Sequence, residues 1–177
     1  MKKYLKFAFI ASLFLIILPL EGCFLVGRND KLPTDLMAEI LELFPDAPDC
    51  RVYFDGAAKG EKEYLSPEKM GLLYTGKRAA AKELSLLEGF AVRIPKKIGA
   101  FELHIAKVAD KSSVPTIEAL FEKRISMLKN AGADIVPPSD YESTAANAEI
   151  YTVGNYVFLL STNNNAAVKE IIDKAVR

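Results

Sequence analysis

Two side chains of opposite charge lie where the sequence requires a charge to find a partner. Arg124 comes seven residues after Ile117, near the centre of the apolar stripe of a predicted helix. A guanidinium there must extend to water or bind a counter-ion, and Glu102, on the preceding strand, is one candidate. The pair is either a structural ion pair or a half-buried site in which Arg124 binds a carboxylate or phosphate ligand.

The other residues that could do chemistry give weaker signals. His104 alternates with Leu103 and Ile105, which predicts a histidine on the surface of a strand. A general base is conceivable there, but the sequence has no serine or cysteine motif of a hydrolase. It also has no metal-ligand spacing, phosphate-binding loop or dinucleotide glycine pattern. We therefore predict no catalytic residue, no metal ligand and no cofactor, and the balance favours a protein that is not an enzyme.

The N-terminal segment has the composition of a leader for export. Lys2, Lys3 and Lys6 precede an apolar run of 14 residues, FAFIASLFLIILPL, which ends at Leu20. This is the length of the apolar part of a signal peptide and falls short of the roughly 20 residues that a membrane-spanning helix needs. The segment therefore predicts export of the rest of the chain.

The end of this leader indicates modification of a cysteine. Cleavage before Cys23 would place Leu20 at position −3 and Gly22 at −1. Leucine at −3 disfavours ordinary signal peptidase, whereas LEGC resembles the lipobox of lipoproteins, with Glu21 as a departure. We expect a diacylglycerol lipid on Cys23, whose acyl chains, such as palmitate, hold a soluble domain on the membrane. The alternatives are an uncleaved anchor and a cysteine present by chance.

The remaining chain is predicted to form one domain joined to the membrane by a short tether. The predicted organisation is a lipoprotein signal peptide over 1–22, a tether over 23–33 and a single domain over 34–177. Lys+Arg and Asp+Glu each number 23, and the leader holds three lysines and one glutamate, so the mature chain has a net charge of −2. Such a domain has no electrostatic reason to bind nucleic acid. Cys50 is expected to be a half-buried small hydrophobe.

The elements that position these residues change character along the chain. The first half is predicted to be mainly helical, with one short strand over 51–54 and a helix capped by Ser66. From residue 88 the apolar period becomes two, which predicts strands over 88–95 and 100–109. A helix over 114–130, a hairpin turning at Gly154 and a helix capped by the asparagines at 163–165 complete the order β-β-α-β-β-α. The expected fold class is α+β, a mainly antiparallel sheet with helices packed on one face.

This pattern resembles an uncharacterised family of Gram-positive bacterial lipoproteins, a domain of unknown function. The resemblance covers about residues 32–177 and rests on the lipobox leader, the helical first half and three later segments. These are the strand FELHIAKV, the helix LFEKRISMLKN with its central arginine, and the hairpin EIYTVGNYVFLL before a final helix. The resemblance implies no activity, since none is established for the family.

Taken together, the sequence predicts a lipoprotein on the extracytoplasmic face of the cell membrane, anchored through Cys23. It would act as a non-catalytic binding or adaptor module for a protein partner in the cell envelope. One alternative is a small hydrolase-like enzyme, which needs a pocket where His104, Glu102 or Arg124 meets a nucleophile or a bound water. Another is a solute-binding accessory protein, although about 155 residues are too few for two ordinary lobes.

Overall fold

The computed structural model describes residues 30–78, 82–131 and 137–177. The predicted signal peptide, Cys23 and the first part of the predicted tether lie outside the described residues. Within the described ranges, no helix combines the length and the apolar character needed to cross a membrane. Five α-helices are described: α1 Pro33–Leu41, α2 Pro67–Thr75, α3 Val114–Ala131, α4 Tyr141–Ala146 and α5 Asn165–Val176.

A five-stranded sheet with the order β1-β2-β3-β5-β4 forms the middle of the fold, and every neighbouring pair in it is antiparallel. The predicted α+β class with an antiparallel sheet is therefore confirmed. β3 lies at the centre of the sheet, and β1 and β4 are its edges. The strands are β1 Cys50–Phe54, β2 Leu87–Pro95, β3 Glu102–Val108, β4 Glu149–Val153 and β5 Tyr156–Ser161.

Helices cover both faces of this sheet, so the prediction of helices on one face is wrong. Leu103 and Ile105 of β3 pack in a core with α1 and α5, whereas Ala106 and Val108 pack in a second core with α2 and α3. Successive side chains of a strand point to opposite faces, so both faces of β3 are apolar. Every residue of β3 and β5 is buried, as expected for strands covered on both sides.

The order of elements also departs from the prediction. A short helix, α4, lies between α3 and β4, so the C-terminal half reads β-β-α-α-β-β-α. Tyr141 starts α4 and donates a hydrogen bond from its buried hydroxyl to Leu128 O of α3, at 2.9 Å. A helix of six residues gives no apolar period to detect in the sequence, and its position is set by this tertiary contact.

Local sequence signals set the ends of several elements. The Ser66 hydroxyl accepts a hydrogen bond from Lys69 N at 3.2 Å, which caps α2 as predicted. Gly76 ends α2 with φ +68°, a conformation that favours glycine. In the hairpin between β4 and β5, Gly154 has φ +64° while Asn155 has no positive φ. A type I′ turn needs positive φ at both positions, so the turn fits the predicted type II′.

The folded part of the chain includes the end of the predicted tether. Pro33 is buried as the first residue of α1, and Tyr156 donates its hydroxyl to Lys31 O at 2.5 Å. Asp30 lies 2.7 Å from the ammonium of Lys107. These contacts join residues 30–33 to the end of the sheet where β3 finishes and β5 begins. Residues 30–33 of the predicted tether therefore belong to the folded domain.

Candidate functional site

Three elements bring charged and polar side chains together under one face of the sheet. Glu102 is the first residue of β3, and its side chain points to the face covered by α2 and α3. Arg124 lies in the middle of α3, and Tyr74 lies near the end of α2. His104 follows Glu102 on the same face of β3, two residues along. We call these four side chains the buried polar cluster.

Arg124 and Glu102, the two residues singled out in the sequence, are in direct contact. Arg124 Nε donates to Glu102 Oε2 at 2.9 Å, and Arg124 Nη2 contacts Glu102 Oε1. Arg124 Nη1 donates to Leu73 O of α2 at 3.4 Å. All three guanidinium nitrogens thus have partners within the protein, and the two-pronged contact with Glu102 is the geometry that guanidinium and carboxylate groups favour. Three of the five guanidinium N–H groups are thus used within the protein, and the positive charge is balanced by Glu102.

His104 is fully buried, so the expectation of a histidine on a strand surface is wrong. The ring contacts Tyr74 at one nitrogen and Glu102 at the other. Tyr74 Oη lies 2.8 Å from His104 Nδ1, and His104 Nε2 lies 3.1 Å from Glu102 Oε2. The second contact has the distance of an ion pair but not the alignment of a hydrogen bond. A neutral ring protonated at Nε2 suits both neighbours, because Nδ1 then accepts from Tyr74 and Nε2–H faces the carboxylate.

Burial and nearby charges together set the pKa values of these groups. Burial lowers the pKa of His104, and this effect outweighs the raising effect of the Glu102 carboxylate. Burial by itself raises the pKa of Glu102, but the contacts from His104 and Arg124 outweigh burial and leave the pKa below its ordinary value. Burial and the nearby Glu102 carboxylate raise the pKa of Tyr74 above its ordinary value. At neutral pH the cluster therefore holds an ionised Glu102–Arg124 pair beside a neutral histidine and a neutral tyrosine.

Tyr74 was not identified in the sequence as part of this site. Its ring stacks on Phe121 of α3, with centroids 5.5 Å apart and planes 25° from parallel, and it is 2% exposed. The one available signal was its position four residues after Met70, which places both residues on one face of α2. That spacing marks Tyr74 as a core residue and does not reveal that its hydroxyl reaches His104.

The arrangement of the buried polar cluster suits a structural role. Glu102 is 1% exposed and the side chain of Arg124 is 17% exposed, so bulk water has little access to the ion pair. None of the three surface cavities described below is lined by a member of the cluster. The contacts join α2, α3 and β3 across one core of the fold. They therefore act as a polar tie between a strand and the two helices that cover it.

A second buried charge lies at the other end of β3. Lys107 is 3% exposed, and its ammonium lies 2.6 Å from Glu88 Oε1 and 2.7 Å from Asp30 Oδ1. Burial lowers the pKa of Lys107, but its two carboxylate partners outweigh burial and raise the pKa above its ordinary value. This site was not predicted from the sequence, since Asp30 is far from Lys107 along the chain. The contact holds the N-terminal segment against the sheet.

Cavities at the surface of the described residues include three that could take a ligand or a partner. A distal cavity of about 480 Å³ lies at the end of the sheet opposite Asp30, with the Phe44 and Phe101 rings in its wall. A neighbouring cavity of about 370 Å³ shares Phe101 and Asp140 with it and includes the exposed Ile98. The third, which we call the β1 cleft, has a volume of about 550 Å³ and follows the outer edge of β1.

Two further observations bear on the predicted chemistry. Among the described residues, no group of three or more His, Cys, Asp or Glu side chains is placed to hold a metal ion. Cys50 is a free, half-buried thiol in β1, and burial raises its pKa above the ordinary value, which disfavours the reactive thiolate. Cys23, the predicted lipid attachment site, lies outside the described residues.

Comparison with known proteins gives one match. A family model described as a domain of unknown function, DUF4358, matches residues 83–162. The matched region runs from the segment before β2 to the end of β5 and contains Glu102, His104 and Arg124. It is similar to that family in sequence, and no activity comes with the similarity. No curated protein and no solved structure matches the chain.

Proposed function

We propose that this protein is a membrane-anchored lipoprotein on the extracytoplasmic face of the cell membrane, and that its α+β domain is a non-catalytic binding module for an envelope protein. The observation that carries the proposal is the sequence LEGC after a basic and apolar leader. It is followed within a few residues by a segment that is fixed to one end of a folded domain. This combination suits a domain displayed at a membrane surface.

The short segment between Cys23 and Asp30 would limit the distance of the domain from the membrane. Seven residue steps separate the two positions, and a fully extended chain covers at most about 3.6 Å per step. A lipid on Cys23 would therefore keep Asp30 within about 25 Å of its attachment point. Because Asp30 is bound to Lys107, the end of the sheet that carries Lys107 would face the membrane.

The binding role is supported by a contrast between the polar residues of the core, which bind one another, and the cavities, which lie at the surface. The residues that an enzyme reading needs, His104, Glu102 and Arg124, do converge, but they bind one another and Tyr74 in the core. The cavities described above lie instead at the surface, at the distal end of the sheet and beside β1. Surface clefts of this kind suit contact with another macromolecule at high local concentration, which a membrane anchor supplies.

Metabolic labelling with a radioactive fatty acid tests the anchor directly. The wild-type protein should take up label and fractionate with membranes, because the acyl chains bury many methylenes in the bilayer. Cys23→Ala should lose the label, while Cys50→Ala should keep it and serves as the matched control. Glu21→Ser should be labelled at least as efficiently as wild type, because it restores the usual small residue in the lipobox.

An unlabelled wild-type protein, or label that survives Cys23→Ala, would refute lipid anchoring.

The binding role has its own test, which is crosslinking of the tagged full-length protein in intact membranes. Repeated recovery of one envelope protein supports the proposal. Turnover of a model substrate by the purified protein, abolished by His104→Ala without loss of folding, would contradict the non-catalytic role.

A further inference from the structure

The outer edge of β1 carries main-chain groups that no described residue binds. Lys96 N donates to Asp49 O and Asp55 N donates to Phe90 O, both at 3.0 Å. These bonds lie just beyond the two ends of the β1–β2 pairing, and hydrogen-bonded pairs alternate along an antiparallel ladder. Arg51 and Tyr53 therefore face β2 with their N–H and C=O groups. The same groups of Cys50, Val52 and Phe54 point away from the sheet.

Part of this outer edge is already in use. Phe54 N donates to Glu63 O at 3.4 Å, so the loop after β1 folds back and covers one end of the strand. Among the described residues, nothing bonds to the outward main-chain groups of Cys50 or Val52. An exposed row of such groups is a template for pairing with another extended chain.

The space beside these groups has the form of a cleft. The β1 cleft lies between residues 50–53 of the strand and residues 61–63 of the returning loop, with Lys69 of α2 and Lys96 at its ends. The loop stands beside the strand and would obstruct the edge of a second sheet. A single extended chain of a few residues needs much less width, since strands pair about 4.8 Å apart.

The side chains around the cleft favour an acidic occupant. Four basic residues line it, Arg51, Lys62, Lys69 and Lys96, and Lys96 is paired with Asp49 at 2.8 Å. The other three basic residues lie against two acidic ones, Glu61 and Glu63. Glu61 is also turned to the main chain, where its carboxylate accepts from Ala58 N at 2.7 Å. The lining thus has an excess of positive charge, although the mature chain is predicted to be slightly acidic. Complementary charge guides a partner and suppresses wrong ones.

We propose that the outer edge of β1 binds an extended acidic segment of a partner protein as a sixth strand of the sheet. The main-chain groups of Cys50 and Val52 would supply the hydrogen bonds, and the lysines of the cleft would select acidic side chains. This inference deepens the proposed binding function and rests on it for its partner class. It identifies the place of binding and the chemistry of the bound segment.

The test uses the full-length protein in detergent and a short synthetic peptide of alternating glutamate and valine with a fluorescent label. We expect saturable binding by fluorescence anisotropy, and slower hydrogen exchange at the amides of Cys50 and Val52. Val52→Pro should weaken binding at least tenfold, because proline removes the outward N–H and blocks strand pairing. The double variant Lys62→Glu with Lys69→Glu, at two exposed positions, should weaken it similarly without changing the fold.

The matched control is Ile150→Pro on the opposite edge strand, β4. Val153 pairs with Tyr156 across the two-residue turn, so the N–H of Ile150 also points outward. This variant should bind the acidic peptide as wild type does, and a peptide of alternating lysine and valine should bind at least tenfold more weakly. Absence of binding to wild type, or equal loss in Val52→Pro and Ile150→Pro, would overturn the proposal. Fatty-acid labelling of Cys23 is independent of this result, so failure at the β1 edge leaves the anchor intact.

Discussion

At the scale of single residues, Glu102 is a buried carboxylate whose charge depends on its neighbours. Its carboxylate is ionised and almost without contact to water, and it is stabilised by Arg124 and the ring of His104. Removing one partner of such a pair is costly because it leaves an uncompensated charge in the interior, whereas replacing both by apolar groups can be neutral. The contacts of Glu102 can therefore be tested one at a time.

Arg124→Leu should lower the free energy of unfolding by about 3 to 5 kcal/mol, because Glu102 then remains buried without its counter-ion. The double variant Arg124→Leu with Glu102→Leu should recover most of this loss. Arg124→Lys, which keeps the charge but not the two-pronged geometry, should fall between wild type and Arg124→Leu. Urea denaturation monitored by circular dichroism measures all four proteins.

If Arg124→Leu alone were as stable as wild type, the structural role of the pair would be excluded. The exposed Lys123, the preceding residue of α3, offers a control, since Lys123→Leu removes a positive charge from water. That change should shift the free energy of unfolding by no more than about 0.5 kcal/mol.

The histidine gives the protein a predicted sensitivity to mild acid. The pKa of His104 in the folded protein lies below the 6.5 of an unperturbed histidine, so the unfolded chain binds a proton more readily. Stability is then complete above about pH 6.5 and is lost as the pH falls below it. The lowered pKa of Glu102 adds a similar loss below its ordinary value of 4.5. Both groups therefore destabilise the fold in acid.

Chemical denaturation between pH 7 and pH 5 measures this effect. The wild-type free energy of unfolding should fall with decreasing pH, by at most about 1.4 kcal/mol per pH unit for one group. His104→Asn should show a flatter profile over the same range, whatever its absolute stability, because the chain has one histidine. Parallel profiles for the two proteins would mean that His104 does not titrate differently in the folded and unfolded states.

At the scale of elements, the alternating sequence patterns predicted where the strands lie better than they predicted which strand faces are buried. The strands around the two hairpins were placed within one or two residues of their observed ends, because alternation and turn residues are local signals. The burial of β3 on both faces was missed, because His104 was expected on the surface of the strand and helices were expected on one face of the sheet. Glu102, His104 and Lys107 each have a partner from another element, which the pattern of one strand does not reveal.

The N-terminal cap of α5 can be tested with two adjacent asparagines, one that caps the helix and one that serves as a control. Asn164 accepts a hydrogen bond from Ala167 N at 3.3 Å, whereas Asn163 is exposed before the helix begins. Asn164→Ala should lower the free energy of unfolding by about 1 kcal/mol, because a helix N–H loses its acceptor. Asn163→Ala should be nearly neutral. Thermal unfolding compares them, and equal effects would show that the cap contributes nothing measurable.

At the scale of the whole molecule, the two ends of the sheet have different surroundings. The end that carries Asp30 and Lys107 would face the membrane if Cys23 holds a lipid. The distal cavity, with Leu43 and Ile98 exposed nearby, lies at the other end, and the length of β3 separates the two by about 20 Å. The anchor would thus turn the distal cavity away from the membrane.

Fluorescence quenching by a lipid-bound nitroxide measures this orientation. Single dyes are placed at Lys111→Cys, just after β3, or at Lys97→Cys, in the distal loop, both exposed and both in a Cys50→Ser background. With the lipidated protein in vesicles, we expect stronger quenching at position 111 because the anchored segment joins that end of the sheet. Equal quenching at both positions, or stronger quenching at 97, would contradict the proposed orientation.

Part of the candidate site was predicted from the sequence, and the rest was seen only in the structure. The sequence pointed to Glu102 and Arg124, because a charge within an apolar stripe is a local anomaly on a helix of known period. It did not indicate Tyr74 or the burial of His104, because those depend on where α2 lies over β3. The Lys107 contact with Asp30 was missed for the same reason, since it joins residues far apart in the chain.

By itself, the sequence determined the α+β class and the antiparallel pairing, which the structure confirms. The leader and the lipid on Cys23 stay predictions from the sequence. All of these follow from local composition, spacing and turn residues. The tertiary structure decided that helices cover both faces of the sheet and that the charged cluster is closed within the core. It also decided which main-chain groups at the outer edge of β1 are left without a partner among the described residues. These properties depend on packing between distant segments, and the free energy of burying a charge is fixed by its neighbours in space.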